Sequence, residues 1–313
     1  MTTISTKRSK TFYFASVLYF IIGAIFPTVS IIFGLPEEKN NTFMIIFGLV
    51  FSILGFSMFY AYLKNSSKVT IDKHTIKIGD RTYDVKNIKN IVLTGKKALG
   101  IFPMESITIL FNNGKKKVLF DDMYSNCSEI KIFLEQVVLN KQEYNPKLIN
   151  KISRNEIRFE SEETFKGNQF INMHGIMLWG LIGFLIFGIF SWNERQILTP
   201  GLLIFPAVMG IGWFFGFSWL MHYFGLTKDY LIIKNHNFFW KAKIYRLSDI
   251  KEVVFEQQGR TPNTMRVITV DFRNKQYPAA PIRKKTWLKL KKRLEEKGVK
   301  VRDEIYFYEE WKK

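Results

Sequence analysis

The sequence predicts a membrane protein of mixed class, an α-helical membrane part plus an α+β part. It reads as two copies of a transmembrane helical hairpin, each followed by a small antiparallel β-barrel or sandwich with a C-terminal helix. Three observations predict this. Four long runs carry no Asp, Glu, Lys or Arg, the segments between them are basic, and the second half repeats the pattern of the first.

The apolar runs cover 11–35, 42–63, 170–192 and 197–227. A bilayer core about 30 Å thick takes about 20 apolar residues at about 1.5 Å each, so all four are long enough to span it. A core helix of a soluble protein rarely stays free of charge for so long. The first run is too long for a signal-peptide core, and no small-residue cleavage site precedes a polar start, so it is expected to remain in the mature chain. Pro27, Pro200 and Pro206 fall in these runs, and spanning helices tolerate proline where neighbours satisfy the freed carbonyls. The mean hydropathy, near zero, averages these runs with their opposite. The chain holds 30 Phe and 46 Lys+Arg, and the two are segregated.

Orientation follows from the flanks. Lys7, Arg8 and Lys10 precede the first run, whereas the loop 36–41 holds Glu37 and Glu38 against Lys39, and the loop 193–196 is neutral. On the other side, 64–169 carries 19 Lys+Arg against 13 acids and 228–313 carries 22 against 11. The positive-inside rule then places both termini and both soluble segments in the cytoplasm, in a multi-pass protein of the cell (inner) membrane. Cys127 falls in a cytoplasmic segment without a partner, so no disulfide is expected.

An internal repeat organises the chain. Residues 83–92 read YDVKNIKNIV and 245–254 read YRLSDIKEVV, an offset of 162, with Val85, Ile88 and Ile91 falling on Leu247, Ile250 and Val253. Residues 104–111 (MESITILF) match 265–272 (MRVITVDF) at an offset of 161. A helix ends each half, with stripes Ile130, Phe133, Leu134, Val137 and Trp287, Leu290, Leu294. Val69, Ile71 and 75–78 read as first strands of the first half, 231–234 as one of the second, and DRTYDV and KAKIYRL as their partners. Phe111-Asn112-Asn113-Gly114 is a hairpin turn, since Asn-Gly supplies positive φ, and Arg273-Asn274-Lys275 is its weaker counterpart. The expected order is a tail and first hairpin over 1–63, a soluble domain over 64–143, a polar linker over 144–169, a second hairpin over 170–227 and a second soluble domain over 228–313.

This pattern resembles the bacterial membrane-anchored pleckstrin-homology-like proteins. The carrying residues are Ile71, Ile76, Ile78, Val85, Ile88, Ile91 and 111–114, then Leu226, Leu231, Ile233, Leu247, Ile250, Val253 and Phe272. The resemblance implies a seven-stranded bent barrel capped by a helix, present twice, and no catalytic residue.

Constellations for chemistry are sparse. Thr94-Gly95-Lys96-Lys97 resembles the end of a phosphate loop, but Asn90 stands where its first glycine belongs. One Cys and four scattered His offer no metal-ligand spacing, and no nucleophile elbow is present, so no cofactor, no metal and no enzyme activity are expected. His174 and His222 lie near the cytoplasmic ends of the third and fourth runs, and without further ligands they read as interfacial imidazoles. The runs lack the ionisable residues that mark ion paths. Gly212-x-x-x-Gly216, with Gly180 and Gly183, is expected to let helices approach closely. Arg283, Lys284, Lys285 and 289–293 (KLKKR) give the last helix a basic face. At pI 9.8 that balance fits positive-inside bias and anionic lipid, and no nucleic-acid-binding module accompanies it.

The most distinctive stretch is NHNFFWKAK, 235–243, an insertion in the first hairpin of the second domain. Phe238, Phe239 and Trp240 beside Lys241 and Lys243 match a contact with the bilayer or a partner. Interfacial aromatics sit at headgroup depth, and each lysine near an anionic surface contributes about 1 kcal/mol. The alternative is that these rings cover the barrel or pack on the first domain. Together these readings predict a non-enzymatic scaffold or regulator at the cytoplasmic membrane surface. Its partners are anionic headgroups and a second copy or another membrane protein. A lipid- or small-molecule-handling transport accessory subunit is the alternative.

Overall fold

The computed structural model describes residues 3–34, 42–100, 102–146, 149–150, 152, 162–194, 200–257 and 261–305, and the chain divides into two compact units, Met1–Lys147 and Leu148–Lys313. Among these residues the fold is α+β, with long apolar helices and several antiparallel sheets.

In the first unit a short strand β1 (Ile4–Ser5) leads into helix α1 (Lys10–Gly34), and α2 (Thr42–Asn65) brings the chain back to strand β2 (Val69–Ile71). Ser9 starts α1 by accepting a hydrogen bond from Phe12 N at 2.9 Å, as an N-cap does. Stretches of both helices, Lys10–Thr28 and Ile45–Asn65, are long and apolar enough to cross a membrane. The helices run antiparallel, with Phe12 against Tyr62, Phe20 against Phe56 and Phe26 stacked on Phe51. They touch at Gly23 and Gly55, where a Cβ on Gly55 would come within 2.5 Å of Gly23 N. Ser52 Oγ donates to the Gly23 carbonyl beside this crossing, at 2.9 Å.

β1 pairs with β2, so the helical hairpin is inserted between two neighbouring strands of one sheet. That sheet continues through β3 (Thr75–Ile78) and β4 (Arg81–Asp84). Val69, Ile71 and Ile76 alternate inward and are buried. In the second sheet the long strand β7 (Phe102–Phe111) pairs with β5 (Ile88–Val92), β6 (Lys96–Leu99) and β8 (Lys116–Phe120). Ile107, Ile109 and Phe111 face the core, which α3 (Cys127–Phe133) closes with Ile130 and Phe133. Phe12, Met58 and Tyr62 join the same core, so the feet of α1 and α2 are part of the β-domain.

The second unit uses the same device. Strand β9 (Glu163–Phe165) precedes helices α4 (Met173–Glu194) and α5 (Pro200–Trp219), then pairs with β10 (His222–Leu226). The sheet runs on through β11 (Tyr230–Asn235) and β12 (Ala242–Arg246). The second sheet orders β15 (Asn274–Pro278), β14 (Thr264–Thr269), β13 (Ile250–Glu256) and β16 (Val301–Asp303), the last parallel to β13. Helix α6 (Lys284–Glu296) buries Trp287, Leu290 and Leu294, and the Trp287 ring lies 5.5 Å from Phe224 and 4.9 Å from Phe255.

Local geometry recurs between the units. A 3-10 turn, Val85–Asn87 or Leu247–Asp249, leads into β5 or β13, and each strand then shifts register at its start, between Ile88/Asn90 and between Ile250/Glu252. The following turn is 111–115 in one unit and 269–273 in the other. Phe111 N donates to Lys115 O at 2.9 Å and Thr269 N to Arg273 O at 3.0 Å, while Asn112 N reaches Asn87 O and Val270 N reaches Asp249 O. Pairing of Ile91 with Ile109 and of Val253 with Val267 therefore matches these strands at an offset of 158. The offset of 161 read from sequence slides them by three residues, because MESITILF and MRVITVDF share letters out of register. The counterpart of 111–114 is 269–272, not Arg273-Asn274-Lys275, and Phe272 takes the positive φ, 56°, that Gly114 takes at 76°.

Three further expectations shift. The apolar run 197–227 is not one helix. It ends at Trp219, and Phe224 and Leu226 are apolar because they line the core from β10. The stretch 144–169 is not only a linker, since it contains β9 and the buried Phe165, although 147–148, 151 and 153–161 lie outside the described residues. The glycines Gly180, Gly183, Gly212 and Gly216 meet nothing within 4 Å of an added Cβ, so the close crossing is at Gly23 and Gly55 instead. The loop 36–41 and residues 195–196 fall outside the described residues.

Candidate functional site

The loop between β11 and β12 holds four of the five residues singled out by composition, Phe238, Phe239, Trp240 and Lys241, and Lys243 follows in β12. Asn235 builds it. This side chain is buried, its Oδ1 accepting from Asn237 N at 2.9 Å and Phe238 N at 3.0 Å. The pattern is an Asx turn, which folds the backbone through a side-chain acceptor. Asn235 Nδ2 donates to Ser218 O at 2.7 Å and Asn237 Nδ2 to Ser218 Oγ at 2.8 Å. His236 N adds a bond to Met221 O. The loop is thus fastened to the end of α5.

Fastening decides where the aromatics go. Phe238 stacks on Phe215 at 5.8 Å and meets Phe214 edge-on at 6.2 Å, both on α5. Phe239 and Trp240 point away, 74% and 60% exposed. Their rings touch each other at 4.9 Å. One of the three consecutive rings thus packs on the helix and two stand in the open. Lys241 Nζ lies 5.2 Å over the Phe238 ring and Lys243 Nζ 5.7 Å over the Tyr245 ring, both as cation–π contacts.

Two histidines lie close by. His236 packs on Tyr223 at 4.6 Å, and its Nε2 is buried with no hydrogen-bond partner. Burial pushes its imidazole down to about 4, with Lys166 pushing the same way. His222 belongs to β10 rather than to a helix end, and its Nδ1 sits 2.9 Å from Pro278 O. Burial lowers its pKa, outweighing the Pro278 and Trp219 carbonyls that favour the proton. His174 contacts Phe217 instead, and among the described residues no group of three or more His, Cys, Asp or Glu converges on one point.

Other charged residues serve the fold. The Gly95 amide is taken by Glu105 Oε2 at 2.8 Å, so the glycine of the phosphate-loop look-alike is occupied by the chain's own carboxylate. On α6, Lys289 and Arg293 reach Glu163 of β9 at 2.8 and 3.1 Å, and Lys291 reaches Asp303 at 2.9 Å. Much of that basic face is therefore paired within its own unit.

Sequence reasoning missed two buried ion pairs. Lys131 meets Asp121 at 2.5 Å, with Cys127 Sγ donating to the same carboxylate. Burial pushes the Cys127 thiol up, keeping it neutral. Arg266 holds Glu256 through two contacts, at 3.1 and 3.3 Å, and Gln276 adds a third donor at 2.6 Å. A single charge, whether in a turn and helix as at Asp121 and Lys131 or in strands as at Glu256 and Arg266, carries no signal that it will be covered.

No protein-family model and no curated protein matches this chain.

Proposed function

We propose that the chain is a multi-pass membrane protein in which α1–α2 and α4–α5 cross the bilayer. It carries two pleckstrin-homology-like domains on the cytoplasmic side and acts as a non-enzymatic scaffold or regulator at that surface. The charge-free runs and the basic bias of the soluble segments support the topology, and α1 and α2 carry stretches long and apolar enough to cross a membrane. The shared 3-10 turn, register shift and 158-residue strand offset support a duplication. The exposed apolar side chains on α4 and α5, such as Phe184, Phe187 and Ile211, are costly in water and unremarkable in lipid.

One observation carries the contact function. Phe239 and Trp240 stand exposed on a loop anchored to α5 near its end at Trp219. Phe215 lies four residues from that end, about 6 Å along the axis at about 1.5 Å per residue. A helix that spans the bilayer brings the loop to headgroup depth, where aromatic rings partition and Lys241 and Lys243 meet anionic lipid.

A spin label at Phe239→Cys, in the full chain with Cys127→Ala and reconstituted in vesicles, tests this. The label is expected to be reached by oxygen and shielded from a water-soluble nickel complex. Free access of nickel would overturn the contact. The transport-accessory reading is favoured by one feature, the apolar cleft between α4 and α5.

A further inference from the structure

The two hairpins pack differently. α1 and α2 meet backbone to backbone at Gly23 and Gly55, whereas α4 and α5 part around a cleft of about 340 Å³. Leu185 Cδ1 packs within 3.2 Å of where a Cβ on Gly210 would stand, and the groove lies around that contact. Pro206, Ala207 and Gly210 of α5 face Ile182, Leu185 and Ile186 of α4. Trp213 Nε1 donates to Met177 O at 3.1 Å and ties the helices together at one end, so the separation is held by a specific contact. The cleft is a shallow groove open along one side, with a volume at the low end of ligand pockets, about 300–1,000 Å³, and its lining side chains are apolar throughout.

The cleft ends under the aromatic loop. Phe214 and Phe215 line it, and the same two rings hold Phe238. Lys241 Nζ lies 5.2 Å from the centroid of that Phe238 ring, and among the described residues it pairs with no carboxylate. An apolar slot thus leads to one uncompensated cation beside an exposed indole at Trp240. A single amphiphile with an apolar tail and an anionic head has that polarity along its length. An empty slot would forfeit dispersion contacts along its walls, and a lipid tail recovers them at no cost in polarity.

We infer that the α4–α5 cleft holds one acyl chain of an anionic glycerophospholipid, with its phosphate at Lys241. This rests on the membrane reading above and deepens it: the loop would bind one resident lipid rather than touch the surface in general.

The test is native mass spectrometry of the full chain, released from bilayers of phosphatidylglycerol and phosphatidylcholine in equal amounts. One retained phospholipid is expected, enriched in phosphatidylglycerol. Ala207→Phe fills the cleft and should lower retention about ten-fold, equivalent to about 1.4 kcal/mol. Ala207→Leu should have a smaller effect in the same direction, while Gly212→Leu, on another face of α5, should change nothing. Lys241→Glu should erase the preference for phosphatidylglycerol while a lipid is still retained.

Retention unchanged by both Ala207 substitutions, or a second copy of the chain bound in place of lipid, overturns the inference. Failure of the membrane reading is separate, since it appears as nickel access at residue 239. An inference that fails alone leaves that label in lipid.

Discussion

Phe238 stacks face to face on Phe215, with ring centroids 5.8 Å apart and planes 22° from parallel, joining a β-hairpin loop to an apolar helix. The contact fixes a loop whose next two rings have no partner in their own core. Position and exposure are thereby separated: Asn235 and Phe238 set the place, and Phe239 and Trp240 present the surface.

That separation predicts opposite behaviour for neighbouring substitutions. Asn235→Ala leaves the amides of Asn237 and Phe238 without their acceptor and takes one of two donors from the Ser218 carbonyl, which Met221 N still reaches. It should cost about 1–3 kcal/mol, read as a lower midpoint in thermal unfolding. Phe239→Ser with Trp240→Ser should stay within about 0.5 kcal/mol of the parent, as exposed positions do. A large loss of stability from the serine pair would mean that these rings are core residues.

The helical crossings give a second contrast. Gly55→Ala drives a methyl into the Gly23 backbone and should cost about 1–3 kcal/mol, as overpacking does. Gly212→Ala enters open space inside a helix, where alanine is favoured over glycine by about 1 kcal/mol, so it should be neutral or stabilising. Unfolding of both variants in one detergent reads the difference. Equal losses would contradict the placement of the crossing.

At the turn after β14, two effects oppose each other. Phe272 holds a left-handed conformation that costs a side-chain-bearing residue roughly 1–2 kcal/mol, yet it is buried under Lys251, 4.0 Å above its ring. Removing a buried phenylalanine costs about 3–5 kcal/mol. Burial wins, so Phe272→Gly should destabilise. Gly114→Ala, with the same backbone demand but open space around it, should lose only the conformational term. A stabilised Phe272→Gly protein would show that strain dominates there.

His236 predicts a pH dependence. Its folded pKa, about 4, lies below that of an ordinary imidazole, so the unfolded chain binds more protons as acidity rises. Stability should fall as pH drops through about 6.5 towards 4, and the buried His222 adds in the same direction. Lys166 and the Tyr223 ring are the groups that face His236. Unfolding midpoints of the parent and of His236→Gln across this range should converge at acid pH. Parallel curves would mean that His236 does not titrate in that window.

The helices were legible because a charge-free run is a long, redundant signal. The strands were legible where Val69, Ile71 and Ile76 alternate, or where Ile107, Ile109 and Phe111 do. β1 and β9 were not, since Ile4–Ser5 and Glu163–Phe165 are too short to show a period and pair only across an inserted hairpin. β10 was hidden inside an apolar run, because a core strand and a helix of the same composition look alike until Trp219 ends the helix. Phe272 concealed its turn by standing where a glycine is expected. The loop 235–243 could be found from its run of aromatics, but its anchor could not. Ser218 and Phe215 lie outside it in sequence and reach it only through the fold.

The central claim is that the two hairpins cross a membrane with both β-domains on the cytoplasmic face. Reporter fusions at Lys39, between α1 and α2, and at the C-terminal Lys313 test it most directly, with one reporter active only in the cytoplasm and one only outside it. The account predicts an external signal at Lys39 and a cytoplasmic signal at Lys313. A cytoplasmic signal at Lys39 would contradict it.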